Sequence, residues 1–276
     1  MSAASSTVIT NDEVLSVLGR GPATETFLIR RSERELALKR IAPHACASAD
    51  ANADLVREGR ILLALEGRGS PKLIETGHDA RGPYVVTERC AGHALATFDH
   101  SAVRARFPAL VVAAFSALAA VHEAQDADGP LGIVHGDVTA SNLLASSSLD
   151  ACVLVDFQLA RDRKGGPRRD GAFRGTLATV APEVARGEEP SERSDIFSLA
   201  VTLVDAVLGI PMRPEGLDPA VRLVLAAEEP LAFDAAVLAG WAPEAFANAL
   251  EHCLSHHPAD RPASAREVLG TLKKLR

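Results

Sequence analysis

The sequence predicts an α+β fold in two parts: a small antiparallel-sheet part carrying one helix, then a larger, mainly helical part. Two observations lead there. Short runs of alternating apolar residues, separated by turn residues, fill the first ninety positions and are interrupted by one amphipathic segment. Beyond them the apolar spacing turns helical, over roughly 107–124, 194–208, 217–227, 243–254 and 262–275. A chain of 276 residues is long enough to give each part a core. A crevice between two such parts is a preferred ligand site.

In order, the strand runs are "VLSVLGRG", "ATETFLIRR", "ELALKRI", "KLIETGHD" and "PYVVTERC". "ADANADLVREGRILLALEG" is the helix among them, with Leu55, Leu62 and Leu65 on one face and Gly67 as a stop. Residues 88–92, "ERCAG", form the expected connection to the helical part, where two short hairpin-like pieces lie around 133–157. The longest uncharged run, Phe107 to Val121, is too short to span a bilayer and reads as a buried helix with Pro108 in its first turn.

Composition narrows the function. A net charge of −7 argues against a generic binder of nucleic acid or anionic membrane, so neither is expected as a partner. Cys46, Cys90, Cys152 and Cys253 form no CxxC pair, which favours reduced thiols over disulfides or zinc. The N-terminal stretch lacks a basic start and an apolar core, so it is no secretory signal, and the expectation is a cytoplasmic protein.

Several polar residues sit where local structure does not explain them. Glu58 falls in the apolar stripe of its helix, where a carboxylate needs a cation to offset its desolvation. Lys39 is the candidate, since it shares a strand face with small Ala37 while Leu36 and Leu38 take the other. The competing reading is a solvated lysine and a helix-edge glutamate. Asp137, Asn142 and Asp156 each follow an apolar segment, and together they make an oxygen set suited to magnesium. Singly, each is a turn residue. "VLGRGPATETFLI" is a strand, a glycine turn and a strand, a pattern common in hairpins.

Taken in order, the motifs resemble the eukaryotic-type protein kinase family, in its bacterial serine/threonine form, from about Val14 to Leu272. "LGRG" stands at the glycine-rich loop, "LALK" at the strand lysine and "VREGRILLAL" at the helix glutamate. "YVVTERCAGHAL" stands at the gatekeeper and hinge, "IVHGDVTASNLL" at the catalytic loop, and "LVDFQLAR" at the DFG element. "GTLATVAPEV", "SDIFSLAVTLVDAVLG" and "HHPADRPASAREVL" complete the series. The resemblance implies a bilobal protein-kinase-like fold: tail 1–10, N-lobe 11–87, hinge 88–92 and C-lobe 93–276.

It also implies roles. Lys39, held by Glu58, would bind the α- and β-phosphates of ATP, and Asp137 would accept or orient the hydroxyl proton of a protein substrate. Asn142 and Asp156 would hold Mg²⁺. Leu18, Gly19, Gly21, Thr26, Ala37, Thr87, Glu88, Cys90 and Leu144 would surround the nucleotide, with Thr87 as gatekeeper. Leu62, Leu73, His135 and Phe157 would form an apolar column, Asp195 would anchor the catalytic loop, and Arg261 would pair with Glu183.

The pattern is broken at six places. Thr24 stands for the third loop glycine, with Pro22 stiffening the tip, and Thr26 for the valine over adenine. Gly136 replaces the arginine before the catalytic aspartate, and Thr139 the lysine that contacts the γ-phosphate. Gln158 replaces the DFG glycine, limiting positive φ there, and Thr179 an aromatic residue before APE. Losing a cation at position 139 is expected to cost roughly 3–4 kcal/mol in the transition state. No serine, threonine or tyrosine lies between Asp156 and Thr176, so both the arginine grip and the phosphosite are missing.

The expectation is a slow serine/threonine protein kinase that is not switched on by phosphorylation of that segment. The alternatives are a nucleotide-binding pseudokinase and, since "HGD" followed by an asparagine also occurs in aminoglycoside and choline kinases, a small-molecule phosphotransferase. Arg161, Arg163, Lys164, Arg168, Arg169 and Arg174 make the same segment basic. It is read as a solvated loop or as an attraction for acidic protein substrates.

Overall fold

A computed structural model describes residues 12–165 and 173–274. The tail expected at 1–10, and Arg168 and Arg169, lie outside the described residues. Two compact units result: one runs to Gly67 and includes Pro71–Cys90, while the other comprises Arg68–Ser70 and the chain from Ala91 onward. The α+β class expected from the sequence is the one observed.

The first unit contains β1 (Glu13–Arg20), β2 (Thr24–Arg31), β3 (Arg34–Ile41), α1 (Ala49–Leu65), β4 (Leu73–Asp79) and β5 (Gly82–Glu88). All pairings are antiparallel, in the order β1-β2-β3-β5-β4. Ile29, Leu36, Leu38, Tyr84 and Val86 form one packed cluster, with Phe27 against it. Each such burial stabilises the sheet by about 1.5–3 kcal/mol. The Ser48 hydroxyl accepts the Ala51 N–H to start α1, which buries Leu55, Ile61, Leu62 and Leu65. Its left-handed stop begins at Glu66, one residue before the glycine expected to end it.

The second unit is mainly helical. After β6 (His93–Ala94) come α2 (His100–His122) and a small hairpin, β7 (Gln125–Asp126) with β8 (Gly129–Pro130). Then follow β9 (Leu143–Ala145) and β10 (Cys152–Leu154), which pair antiparallel, with β6 on the other side of β9. The remaining helices are α3 (Pro182–Ala185), α4 (Glu192–Leu208), α5 (Pro219–Glu228), α6 (Glu244–Cys253) and α7 (Ala265–Lys273). Helix α4 opens on a Ser191–Ser194 capping box and closes on left-handed Gly209.

One sequence expectation fails here. Helix α2 starts at His100, so Pro108 lies inside it and not in its first turn. Asp99 supplies the actual cap by accepting the Ser101 N–H. An interior proline costs about 3 kcal/mol. The burial of Val103, Phe107, Leu110, Phe115 and Leu118, and packing against α4 and α7, offsets it. At 23 residues α2 is also long and apolar enough to cross a membrane, unlike the shorter run read from the sequence. Most of its apolar window, 61%, is buried inside the protein, as in a core helix. All four cysteines are free thiols.

Candidate active site

In the first unit, strand alternation buries Leu36 and Leu38 in the sheet cluster and turns Ala37 and Lys39 the other way. The Lys39 Nζ donates to Glu58 Oε2 at 2.6 Å, with Lys39 9% and Glu58 3% exposed. The carboxylate in the apolar stripe has the cation it needs. Beside this pair, Thr26 stands opposite both Gly19 and Lys39 in the sheet. Buried Thr87 stands opposite Ala37, and Glu88 opposite Leu36.

The β1–β2 turn is held at several points. Gly21 N–H donates to Thr24 O at 2.8 Å, Ala42 N–H to Ala23 O at 2.9 Å, and His44 Nε2–H to Pro22 O at 2.7 Å. Leu18 is 52% exposed beside it. At the end of this unit, burial pushes the Cys90 thiol pKa up, with Glu88 adding to the effect.

In the second unit the chemistry is built on Asp195, which is 1% exposed near the start of α4. Its carboxylate accepts the His135 N–H at 2.7 Å, the Gly136 N–H at 2.9 Å and the His122 ring at 3.0 Å. The bend so imposed puts Gly136 at φ 77°, and a Cβ there would lie 3.1 Å from the Leu159 carbonyl oxygen. Glycine removes that strain. His135 Nδ1 accepts the Asp137 N–H at 3.3 Å, and its Nε2 faces Val155 O at 3.1 Å; one tautomer, with the proton on Nε2, satisfies both. Its ring packs on Phe157 at 4.8 Å.

Asp137 is thereby aimed and then gripped. Thr176 Oγ1 donates to its Oδ1 at 2.8 Å, and Asn142 Nδ2 donates to its Oδ2 at 3.1 Å and to its carbonyl at 2.9 Å. Burial pushes the Asp137 carboxyl above the ordinary aspartate value. The charge of Asp156 raises it further, against the pull of Thr176, His135 and Asn142. Thr139, 8% exposed, accepts the Asn142 N–H at 3.2 Å, so its hydroxyl closes the loop. Val155 N–H donates to Asn142 O at 2.9 Å, tying this loop to the Asp156 turn. Half-buried Leu144 lies on β9.

Asp156 takes φ 64°, a conformation aspartate tolerates better than most residues, and its Oδ1 accepts the Gln158 N–H at 3.4 Å. The positive φ falls on Asp156, while Gln158 sits in a short 3₁₀ turn where no glycine is needed. Gln158 thus keeps out of positive φ, as glutamine at this position requires. A shallow pocket opens beside Asp137, walled by Arg174, Thr176, Thr179, Val184 and Ser198.

The protein-kinase-domain family model matches residues 13–271. This chain belongs to the protein kinase family. It is 30% identical to the serine/threonine-protein kinase PknD of Mycobacterium tuberculosis over 270 residues, 93% of this chain and 38% of that protein. With the tyrosine-protein kinase MasK of Myxococcus xanthus it shares 29% over 274 residues, covering 87% and 42%. With the probable serine/threonine-protein kinase PknB of Corynebacterium glutamicum it shares 28% over 279 residues, covering 95% and 42%. The chain thus spans about two-fifths of the length of these relatives.

Two features of this kinase domain escaped the sequence reading. Asp126 on the β7–β8 hairpin accepts from Arg163 at 2.5 Å and from Lys164 at 2.7 Å, and is held down to about 2, chiefly by the Lys164 bond. Arg163 also donates to Pro130 O at 2.6 Å. Arg161 pairs with Glu189. These cations of the basic segment are thus engaged within the unit, and Arg174 lines the pocket. The second feature is Arg213, whose Nη1 reaches backbone carbonyls behind that pocket. A charge bonded to carbonyls leaves no pattern of residue types to find.

Proposed function

We propose that this kinase domain is an ATP- and magnesium-dependent serine/threonine protein kinase, slow for its family and not activated by phosphorylation between residues 157 and 175. The observation that carries the reading is the grip on Asp137: both carboxylate oxygens accept a hydrogen bond while its burial disfavours the charge. Such a carboxylate is oriented and basic enough to take the proton of an acceptor hydroxyl. Lys39, steadied by Glu58, would neutralise the α- and β-phosphates.

The donor set fits magnesium bound together with phosphates. With its amide nitrogen on Asp137, Asn142 has Oδ1 to offer a cation, and Asp156 supplies a carboxylate whose charge is felt at Asp137. Among the described residues, no group of three or more His, Cys, Asp or Glu forms a cage of its own. Magnesium takes few protein ligands where it also takes phosphate oxygens. When bound, it would neutralise charge developing on the β- and γ-phosphates.

The unswitched segment is supported by its ion pairs. Asp126 fixes Arg163 and Lys164, and Glu189 fixes Arg161, with no phosphate required. A phosphate on Thr176 would also remove the hydroxyl donor to Asp137. The slow rate rests on Thr139, whose hydroxyl accepts the Asn142 N–H and carries no charge. Thr139→Lys should raise the transfer rate by about tenfold, less than a full charged contact gives because the Asn142 N–H loses one of its two acceptors and keeps only the carbonyl of residue 139. An unchanged or lower kcat would remove position 139 as the cause.

The test is transfer from labelled ATP with magnesium to the chain itself and to generic basic and acidic proteins, followed by phosphoamino-acid analysis. Melting curves with and without MgATP run beside it. Phosphoserine or phosphothreonine, with no requirement for prior phosphate on Thr176 or Thr179, is the expected result. Stabilisation by MgATP without transfer gives the pseudokinase reading instead. Transfer to small alcohols alone gives the phosphotransferase.

A further inference from the structure

We infer that Arg213 is a positioning residue for the protein acceptor: from behind the pocket beside Asp137 it gathers the backbone carbonyls of Leu177, Ala178 and Val180, and so sets Thr176, Thr179 and Val180 along the pocket wall. The inference rests on reading this chain as a protein kinase.

The wall needs such a device. Residues 177–180 belong to no helix or strand, and their internal bonds are the Thr179 and Val180 N–H groups to Thr176 O, at 3.1 and 3.0 Å. Those bonds use donors and leave the carbonyls of 177, 178 and 180 to be satisfied elsewhere. Arg213 Nη1 approaches all three, at 2.5 Å to Val180 O, 3.3 Å to Leu177 O and 3.5 Å to Ala178 O. The two N–H groups of this one nitrogen hold Val180 O closely and share Leu177 O and Ala178 O at longer range. They so fix the direction of these peptide groups and of the segment from Thr176, whose hydroxyl reaches Asp137.

The placement of Arg213 is itself specified. It follows α4 by a few residues, and the Met212 N–H donates to Asp205 Oδ1 at 2.8 Å, setting the path of the chain there. The guanidinium carbon lies 5.5 Å from the centre of the Phe197 ring. Arg213 is 7% exposed; burial lowers its pKa to about 10 and Asp205 resists the change, so it stays a cation at neutral pH. Its Nη2 is buried with no hydrogen-bond partner among the described residues. An apolar side chain would avoid that desolvation but would leave the carbonyls of the pocket wall unpartnered. The side chain kept here serves the wall.

Arg213→Met keeps the long stem and removes the donors, and Arg213→Lys restores one of them. Steady-state kinetics with a protein acceptor, amide exchange over residues 176–180 and MgATP melting shifts would be measured for both and for the parent chain. For Arg213→Met the acceptor KM should rise by about tenfold or more while KM for ATP stays within about twofold, with partial recovery in Arg213→Lys. Amide exchange should quicken at 176–180 and not in β9 or α2. Unchanged acceptor KM, or equal losses in both substrates with exchange quickened throughout the unit, overturns the inference. If the parent transfers to no protein, the kinase reading fails by itself, and unchanged exchange at 176–180 would still refute Arg213 as the clamp of the wall.

Discussion

Asp137→Asn should lower phosphoryl transfer by about 10²- to 10⁴-fold, the usual share of a general base, and leave MgATP stabilisation of the chain intact. The substitution preserves shape. Either Thr176 Oγ1 at 2.8 Å or Asn142 Nδ2 at 3.1 Å would keep an acceptor, and the other would face an amide NH₂. What disappears is the group able to take a proton. Because burial and Asp156 raise the Asp137 carboxyl, it binds its proton more tightly folded than unfolded. Its contribution to stability is therefore full below the ordinary aspartate pKa and declines as pH rises through the folded value. In the absence of nucleotide, Asp137→Asn should then melt no lower than the parent at neutral pH. Transfer within tenfold of the parent would remove Asp137 from the chemistry. Loss of MgATP binding would make it a ligand and not a base.

How much of this was legible depends on what each residue talks to. Lys39 and Glu58 announced themselves because a carboxylate in an apolar stripe and a lysine beside alanine break their own periodicities, and the pair closes at 2.6 Å. Gly136 could be read only as a missing arginine; the bend imposed by Asp195 shows glycine relieving a positive φ there. At Gln158 the sequence shows that positive φ is limited, but not that the positive φ of this turn falls on Asp156. At Thr139 the sequence shows only a lost charge; the hydrogen bond its hydroxyl accepts from the Asn142 N–H leaves no trace, because hydroxyl-to-backbone contacts have no sequence period. The usual preference of proline puts Pro108 at a helix start, whereas Asp99 begins the helix well before it. Asp126 lies 37 residues from Arg163, and nothing local ties an acid in a small hairpin to that segment.

Breaking the buried Arg261–Glu183 pair should produce the largest loss of stability. Arg261 donates Nη1 to Glu183 Oε1 at 2.8 Å and Nη2 to Oε2 at 2.9 Å, a bidentate fork, with exposures of 2% and 3%. Its remaining donors reach Ser255 O at 2.7 Å, His256 O at 2.9 Å and Arg193 O at 3.0 Å, and its guanidinium carbon lies 4.6 Å from the centre of the Phe197 ring. Ser194 Oγ donates to Glu183 Oε1 at 2.7 Å. One residue thus joins α3, the start of α4 and the turn before α7. Arg261→Met leaves Glu183 buried without its cation, at a cost of about 3–5 kcal/mol. For a chain of this size that is a fall in Tm of about 10 °C. Burial alone would push the Glu183 carboxyl up, but Arg261 and then Ser194 bring it below the ordinary glutamate value. Its stabilising contribution is therefore present above the unfolded pKa and lost as pH falls through the folded one, so the parent and Arg261→Met should converge in stability under acid. A double variant with apolar residues at both positions should melt above Arg261→Met, because no charge is left stranded. A Tm for Arg261→Met within about 2 °C of the parent would mean that the carbonyl bonds and ring contact, and not the fork, hold these helices together.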